Sequence, residues 1–160
     1  MKKIIVISTI FFLFFSCDSK SVNIFEIELP NETIENKKFD INYYKNKSVL
    51  LNFWFPSCPP CVYELEILNE INKELDSTSI IGVQVLGLDT QDDGVKMFQN
   101  KKILYKSIVD NGDSLVQNFE ITVFPTTILF DNKGDEIKRW IGIIDKEKVK
   151  KEIASLQTNE

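Results

Sequence analysis

Two cysteines, Cys58 and Cys61, are three positions apart with Pro59 and Pro60 between them. A thiol pair at this spacing supports three chemistries: a redox couple, a structural disulfide, or half of a zinc site. A disulfide across so short a loop constrains the unfolded chain very little. Tetrahedral zinc needs about four ligands where only this pair is available. Redox chemistry is the reading left. The chain has three cysteines in all, no histidine and a single arginine, Arg139. Histidine-based triads, imidazole metal ligands and covalent haem attachment are therefore excluded, and a site built on a guanidinium clamp has little to draw on.

The neighbouring sequence supplies the elements such a pair needs. Ser48 to Phe55 contains the nearly continuous apolar run Val49-Leu50-Leu51-Asn52-Phe53-Trp54, as expected of a strand buried on both faces. Pro56 to Pro60 breaks that strand, and from Cys61 the apolar positions Leu65, Leu68, Ile71 and Leu75 recur at helical spacing. The cysteines thus open a helix, where the macrodipole and unpaired N–H groups favour a thiolate. This assigns Cys58 as the attacking thiol and Cys61, one turn deeper, as the resolving one. Proline suits the intervening positions because the first helical N–H groups have no intrahelical partner.

Around this centre, Val22 to Leu29 alternates apolar and polar residues and Pro30-Asn31-Glu32 turns before Thr33 to Tyr44, which predicts an N-terminal hairpin or short strands packed on the edge of the domain. Ile80 to Leu86 reads as a second buried strand. Asp92-Asp93 is expected to cap a short helix through Val95, Met97 and Phe98, and Asp113 another over Ser114 to Phe119. Thr126 to Phe130 and Glu136 to Ile141 are β-rich and joined by Asp131-Asn132-Lys133-Gly134, a hairpin composition. Asp145 caps a last amphipathic helix with Val149, Ile153 and Leu156 on its inner face. This order predicts an α/β architecture with a mixed central sheet flanked by helices, the cysteines lying at the strands' carboxyl ends.

The length of 160 residues, 43% hydrophobic and 27% charged, fits one domain. Lys2 and Lys3 precede an uncharged run from Ile4 to Phe15, the layout of a secretory signal and too short for a span of about 20 residues. Phe14-Phe15-Ser16-Cys17 resembles the cleavage box of bacterial lipoproteins, in which the cysteine is lipidated and becomes the new N-terminus. The expected division is residues 1–16 as signal, 17–23 as lipidated N-terminus and tether, and 24–157 as the domain. The net charge is −5, and −7 without the leader and its two lysines, which argues against a nucleic-acid partner. Export suits the thiol pair, because disulfides persist outside the cytosol.

Leu51-Asn52-Phe53-Trp54, Cys58-Pro59-Pro60-Cys61 and Phe124-Pro125-Thr126-Thr127 together resemble the TlpA/ResA branch of the thioredoxin superfamily, over about Phe25 to Leu156. The resemblance implies a thioredoxin fold and a cis Pro125 facing the cysteines. Substrate would lie in a groove bordered by Trp54, Pro59, Pro60, Phe124, Pro125 and Thr126. It also implies a monomer without cofactor, reducing protein disulfides outside the cytoplasm, those of apocytochrome c included, and exchanging electrons with a membrane redox donor or acceptor. The chain departs from that branch at Pro56 and Ser57, where a small residue and an aromatic are common. The branch often has a buried acid after the second central strand; here Asp89 is the candidate proton acceptor for Cys61. Asn52 occupies the place where thioredoxins proper have a buried Asp. The competing readings are a disulfide-forming oxidase, a peroxiredoxin-like peroxidase and a non-catalytic binding lipoprotein. A peroxidase would need a threonine and an arginine about the cysteine, and no threonine lies between Pro56 and Cys61.

Overall fold

Strand β1 (Ser48–Trp54) is apolar along its length because it is covered from both sides. Val49, Leu51 and Phe53 enter one apolar cluster, Leu50 and Trp54 another. In the computed structural model, which describes residues 22–157, β1 is the middle of a five-stranded sheet. The parallel strands β2 (Thr78–Val85) and β3 (Lys106–Asp110) lie on one side of it. The antiparallel pair β4 (Thr126–Phe130) and β5 (Glu136–Ile141) lies on the other. Among the described residues four α-helices flank the sheet: α1 (Pro59–Glu74), α2 (Gln91–Lys101), α3 (Ser114–Asn118) and α4 (Lys146–Gln157). This is the mixed sheet flanked by helices expected above. The signal segment and Cys17 fall outside the described residues.

Helix α1, which carries the cysteines, is held by its buried stripe. Leu65, Leu68 and Ile71 pack in one cluster with Val149 and Ile153 of α4, each such side chain contributing about 1.5–3 kcal/mol. Lys146 bridges to Glu70 at 2.9 Å and Glu74 at 2.5 Å, and Lys150 to Glu74 at 2.7 Å. These solvent-facing pairs add little beside the burial. Asp145 caps α4 as expected, accepting from Lys148 N at 3.0 Å.

Several local expectations are corrected. Strand β3 was not foreseen: Lys106-Ser107-Ile108-Val109-Asp110 is short and half polar, but Ser107 is buried as the acceptor of the Trp54 indole N–H at 3.1 Å. Thr90, not Asp92 or Asp93, caps α2. Its hydroxyl accepts from Asp93 N while the Asp93 carboxylate takes Thr90 N, a reciprocal box. Asp113 is the N-cap residue of α3 as expected, but the side-chain cap bonds come from Asp110, whose carboxylate accepts from Leu115 N at 3.1 Å and Val116 N at 2.9 Å. Asp113 sits at φ 59° with no side-chain cap bond.

The N-terminal hairpin is not formed as two regular strands. Residues 22–40 run as a strap with isolated bridges from Asn23 to Asp135, Glu32 to Lys38 and Thr33 to Ile108. Their apolar side chains serve burial rather than mutual pairing: Ile24 and Phe39 join the cluster of Val49 and Phe53. Asn23 Nδ2 donates to Lys133 O at 3.1 Å and to Asp135 Oδ1 at 2.9 Å. The Phe25 ring lies where a Cβ on Gly134 would be, 2.4 Å away. Ile34 N bonds Ser107 O at 2.8 Å, covering the outer edge of β3.

Across the sheet, Ser107, Gly82, Asn52 and Thr127 form one row under α1. The Trp54 indole reaches over Gly82 to Ser107, so a Cβ at Gly82 would lie 2.8 Å from Ser107 Oγ and 3.1 Å from Trp54 Nε1. Gly82→Ala is expected to destabilise the fold by about 2 kcal/mol. Gly87→Ala, where nothing lies within 4 Å, should leave stability unchanged. Urea midpoints of the two variants check this.

Candidate active site

Cys58 is the N-cap of α1, in extended conformation at φ −101° and ψ 99°, and Pro59 and Pro60 fill the first two helical positions, exposed. Its sulfur accepts the Cys61 N–H at 3.3 Å, so the thiol takes the place of a capping oxygen. The two cysteines form a disulfide with a Cα–Cα distance of 5.2 Å. Cys58 is 6% exposed and Cys61 is fully buried. Of the two sulfurs, Cys58 is the one an incoming group can reach.

Before Cys58 the chain makes a turn, closed by Cys58 N on Phe55 O at 3.2 Å. Asp89 pins it: one carboxylate oxygen accepts from Ser57 N at 3.0 Å and Ser57 Oγ at 2.7 Å. Asp89, expected beside Cys61, is thus engaged at the turn leading to Cys58.

The Phe124–Pro125 peptide is cis. Since Thr126 pairs with Phe53, Pro125 stands level with Trp54, at the end of the sheet where the cysteine turn begins. The Phe124 ring meets Phe55 edge-on at 5.2 Å. Val123 O accepts from Thr126 Oγ1 at 2.7 Å and Pro125 O from Gly142 N at 2.8 Å. A cavity of about 240 Å³ opens here, walled by Phe55, Leu86, Leu88 and Phe124 with Ser57 and Asp89 at its polar rim. Trp54 does not line it. Strand alternation turns its indole to the helix side, where it is fully buried and stacks on Phe98 at 5.0 Å.

Glu64 lies one turn beyond Cys61 on the same buried face of α1. Its carboxyl group accepts from Thr127 Oγ1 at 3.1 Å and Asn52 Nδ2 at 3.3 Å. Burial pushes its pKa up to about 7, against the opposing hydrogen bonds of Thr127, the Ile144 backbone and Asn52. The Tyr105 hydroxyl is also pushed well up, by its own burial and then by Glu64. Arg139 is committed elsewhere, paired with Glu136 at 2.9 Å and donating to Phe119 O at 2.6 Å.

Comparison with known proteins agrees with this geometry: the family model for redoxin matches residues 21–156. The chain belongs to the redoxin family. Among relatives of this redoxin, the thiol-disulfide oxidoreductase ResA of Bacillus thuringiensis is 31% identical over 128 residues, covering 76% of this chain and 72% of the relative. The crystal structure of StoA from Bacillus subtilis superposes with a TM-score of 0.66 at 26% identity, covering 78% of this chain and 93% of that one. The pneumococcal exposed lipoprotein thioredoxin Etrx1 from Streptococcus pneumoniae shares the fold, with a TM-score of 0.70 at 23% identity over 81% and 98% of the two chains. This redoxin is a TlpA/ResA-like member of the thioredoxin superfamily and a thiol-disulfide oxidoreductase.

Sequence reasoning missed Glu64. The signal was present: a charged residue on the inward stripe that includes Cys61, Leu65 and Leu68, just as Asn52 interrupts an otherwise apolar strand. The two irregularities are partners.

Glu64 makes the redoxin's stability depend on pH. Its pKa of about 7 in the fold lies above the ordinary 4.5, so the folded state holds a proton that the unfolded chain releases. Stability is therefore expected to fall as pH rises from about 4.5 to 7, by on the order of 3 kcal/mol at most. Glu64→Gln should flatten the dependence in that window, as checked by urea unfolding from pH 4 to pH 8. A slope equal to that of the parent chain would exclude Glu64 as its source.

Proposed function

We propose that this redoxin reduces protein disulfides outside the cytoplasm, held at a membrane by lipid on Cys17 and using residues 24–157 as its catalytic domain. The observation that carries the reading is the seat of the pair: Cys58 caps a helix and is slightly exposed, while Cys61 is buried one turn from the Glu64 carboxyl group. In the reduced enzyme the Cys58 thiolate attacks one sulfur of a substrate disulfide. A Cys58–substrate S–S bond forms and the other substrate sulfur leaves as a thiolate. Cys61 then gives its proton to the Glu64 carboxylate and attacks Cys58 Sγ. The Cys58–Cys61 disulfide forms, the second substrate thiolate departs, and two electrons have passed to the substrate. A membrane dithiol donor would restore the pair by the reverse exchange.

Glu64 takes here the proton-accepting role expected of Asp89, because it is the carboxyl group on the face of Cys61. Phe55, Phe124, Pro125 and Thr126, with Pro59 and Pro60 at the helix start, border the groove for an extended substrate, and the apolar cavity receives a side chain next to its cysteine. The direction of electron flow is supported by charge. A strong oxidant stabilises its own thiolate, whereas the segments 55–61, 86–90 and 122–126 contain no lysine or arginine and the chain has no histidine.

Two measurements test this. Equilibration with glutathione should give a potential nearer to about −270 mV, typical of a reductant, than to about −120 mV, typical of an oxidant; the latter value would reverse the direction. Cys58→Ser should abolish insulin reduction, and Cys61→Ser should accumulate a mixed disulfide with substrate, visible by mass. Trapping by Cys58→Ser instead would exchange the two roles.

A further inference from the structure

The two ends of the sheet differ in charge. At the disulfide end, the connections 55–58, 86–90, 111–113 and 121–125 hold Asp89 and Asp113 and no lysine or arginine. At the opposite end, 45–47, 75–77, 102–105 and 131–135 hold Lys45, Lys47, Lys102 and Lys133. Lys106 opens β3 there, against Asp76, Asp131 and Asp135. This basal end is thus positive on a chain whose net charge is −5. It also exposes two large side chains, Tyr43 at 78% and Leu104 at 65%. Tyr44, Lys47, Leu104 and Lys106 line one shallow depression, so these residues form one surface.

The chain enters the domain at the same end. Asn23 is bonded to the 131–135 turn through Lys133 O and Asp135 Oδ1. Six peptide steps separate Cys17 from Asn23 and reach at most about 21 Å when fully extended. The seven residues of β1 alone put roughly 20 Å between the basal end and the disulfide turn. A short tether and a basic, tyrosine-bearing face therefore coincide, and the acidic end is the far one.

We propose that the basal end docks on the anionic surface of the bilayer that receives the Cys17 lipid, so that the disulfide faces the aqueous phase away from the membrane. The proposal rests on the lipid-anchor reading given above. Near an anionic bilayer each lysine strengthens attachment about fivefold, and tyrosine favours the headgroup level. The acids of the disulfide end are repelled from the same surface. The redox partner must then present its thiols on a water-exposed domain, not at the depth of the headgroups.

The test uses the full lipidated chain in phosphatidylcholine vesicles with brominated acyl chains, with and without phosphatidylglycerol. The indole introduced by Tyr43→Trp should be quenched several-fold more than that introduced by Leu88→Trp, and only with phosphatidylglycerol present. Combining Lys45→Gln and Lys47→Gln should remove most of that excess. Equal or greater quenching for Leu88→Trp, or quenching for Tyr43→Trp that ignores phosphatidylglycerol, overturns the orientation. Flotation separates the two readings: a chain that does not float with pure phosphatidylcholine lacks the anchor. The basal face is then judged by the same pair of indoles on phosphatidylglycerol vesicles.

Discussion

A carboxyl group beneath a helix must find hydrogen bonds or lose far more in solvation than it gains, and Glu64 finds them on two strands and a loop. Asn52 belongs to β1, Thr127 to β4, and the Ile144 backbone to the segment before α4. Meeting this one requirement fixes the rotation and the height of α1 on the sheet. Cys61, a turn above Glu64, is thereby brought to the end of β1, and the cis peptide at Pro125 to the same level on β4. Loss of the Glu64 contacts would leave the helix attached by its apolar stripe but free to slide, because leucines and isoleucines specify burial more strongly than register.

The supports on the other side of α1 are of a different kind. Trp54 fills the space between β1 and α2 by stacking on Phe98, and its N–H is satisfied by Ser107. Gly82 is small because the indole passes over it. The last residue of the strand leading to the cysteine turn is thus rigidly held, while the turn itself is kept by one backbone bond, Cys58 N to Phe55 O, and by the Asp89 carboxylate. The cysteine loop combines a stiff base with a more lightly held rim.

Much of this was legible in the residues. The uninterrupted apolar run of β1, the helical spacing after Cys61, the hairpin composition at 131–134 and the inward face of α4 each reflect one dominant force, burial at a fixed period. The elements that escaped depend on partners distant in sequence. Strand β3 looks polar until Ser107 is seen to serve Trp54, 53 residues away. Asp110 and Thr90 cap their helices at offsets that only the backbone path reveals. The N-terminal alternation was real, but its apolar residues pack on the sheet instead of on each other. At the site, the cysteines and the cis proline were readable from motif and resemblance. The burial of Glu64 was not readable, because an acid in a loop, such as Asp89, and an acid on a helix look equally ordinary until the packing is known.

The strap over residues 22–40 has a consequence for the molecule in a crowded compartment. An open sheet has two edges, and each is a template for pairing with another chain. Thr33 and Ile34 occupy the outer side of β3 with backbone bonds of their own, so that edge is already capped by a segment of the same chain. The other edge, β5, carries Glu136, Lys138 and Arg139 beside Ile137, Trp140 and Ile141, and charges on an edge strand discourage a second copy from adding to it. A thiol-disulfide oxidoreductase thus keeps its own sheet from joining the chains it meets.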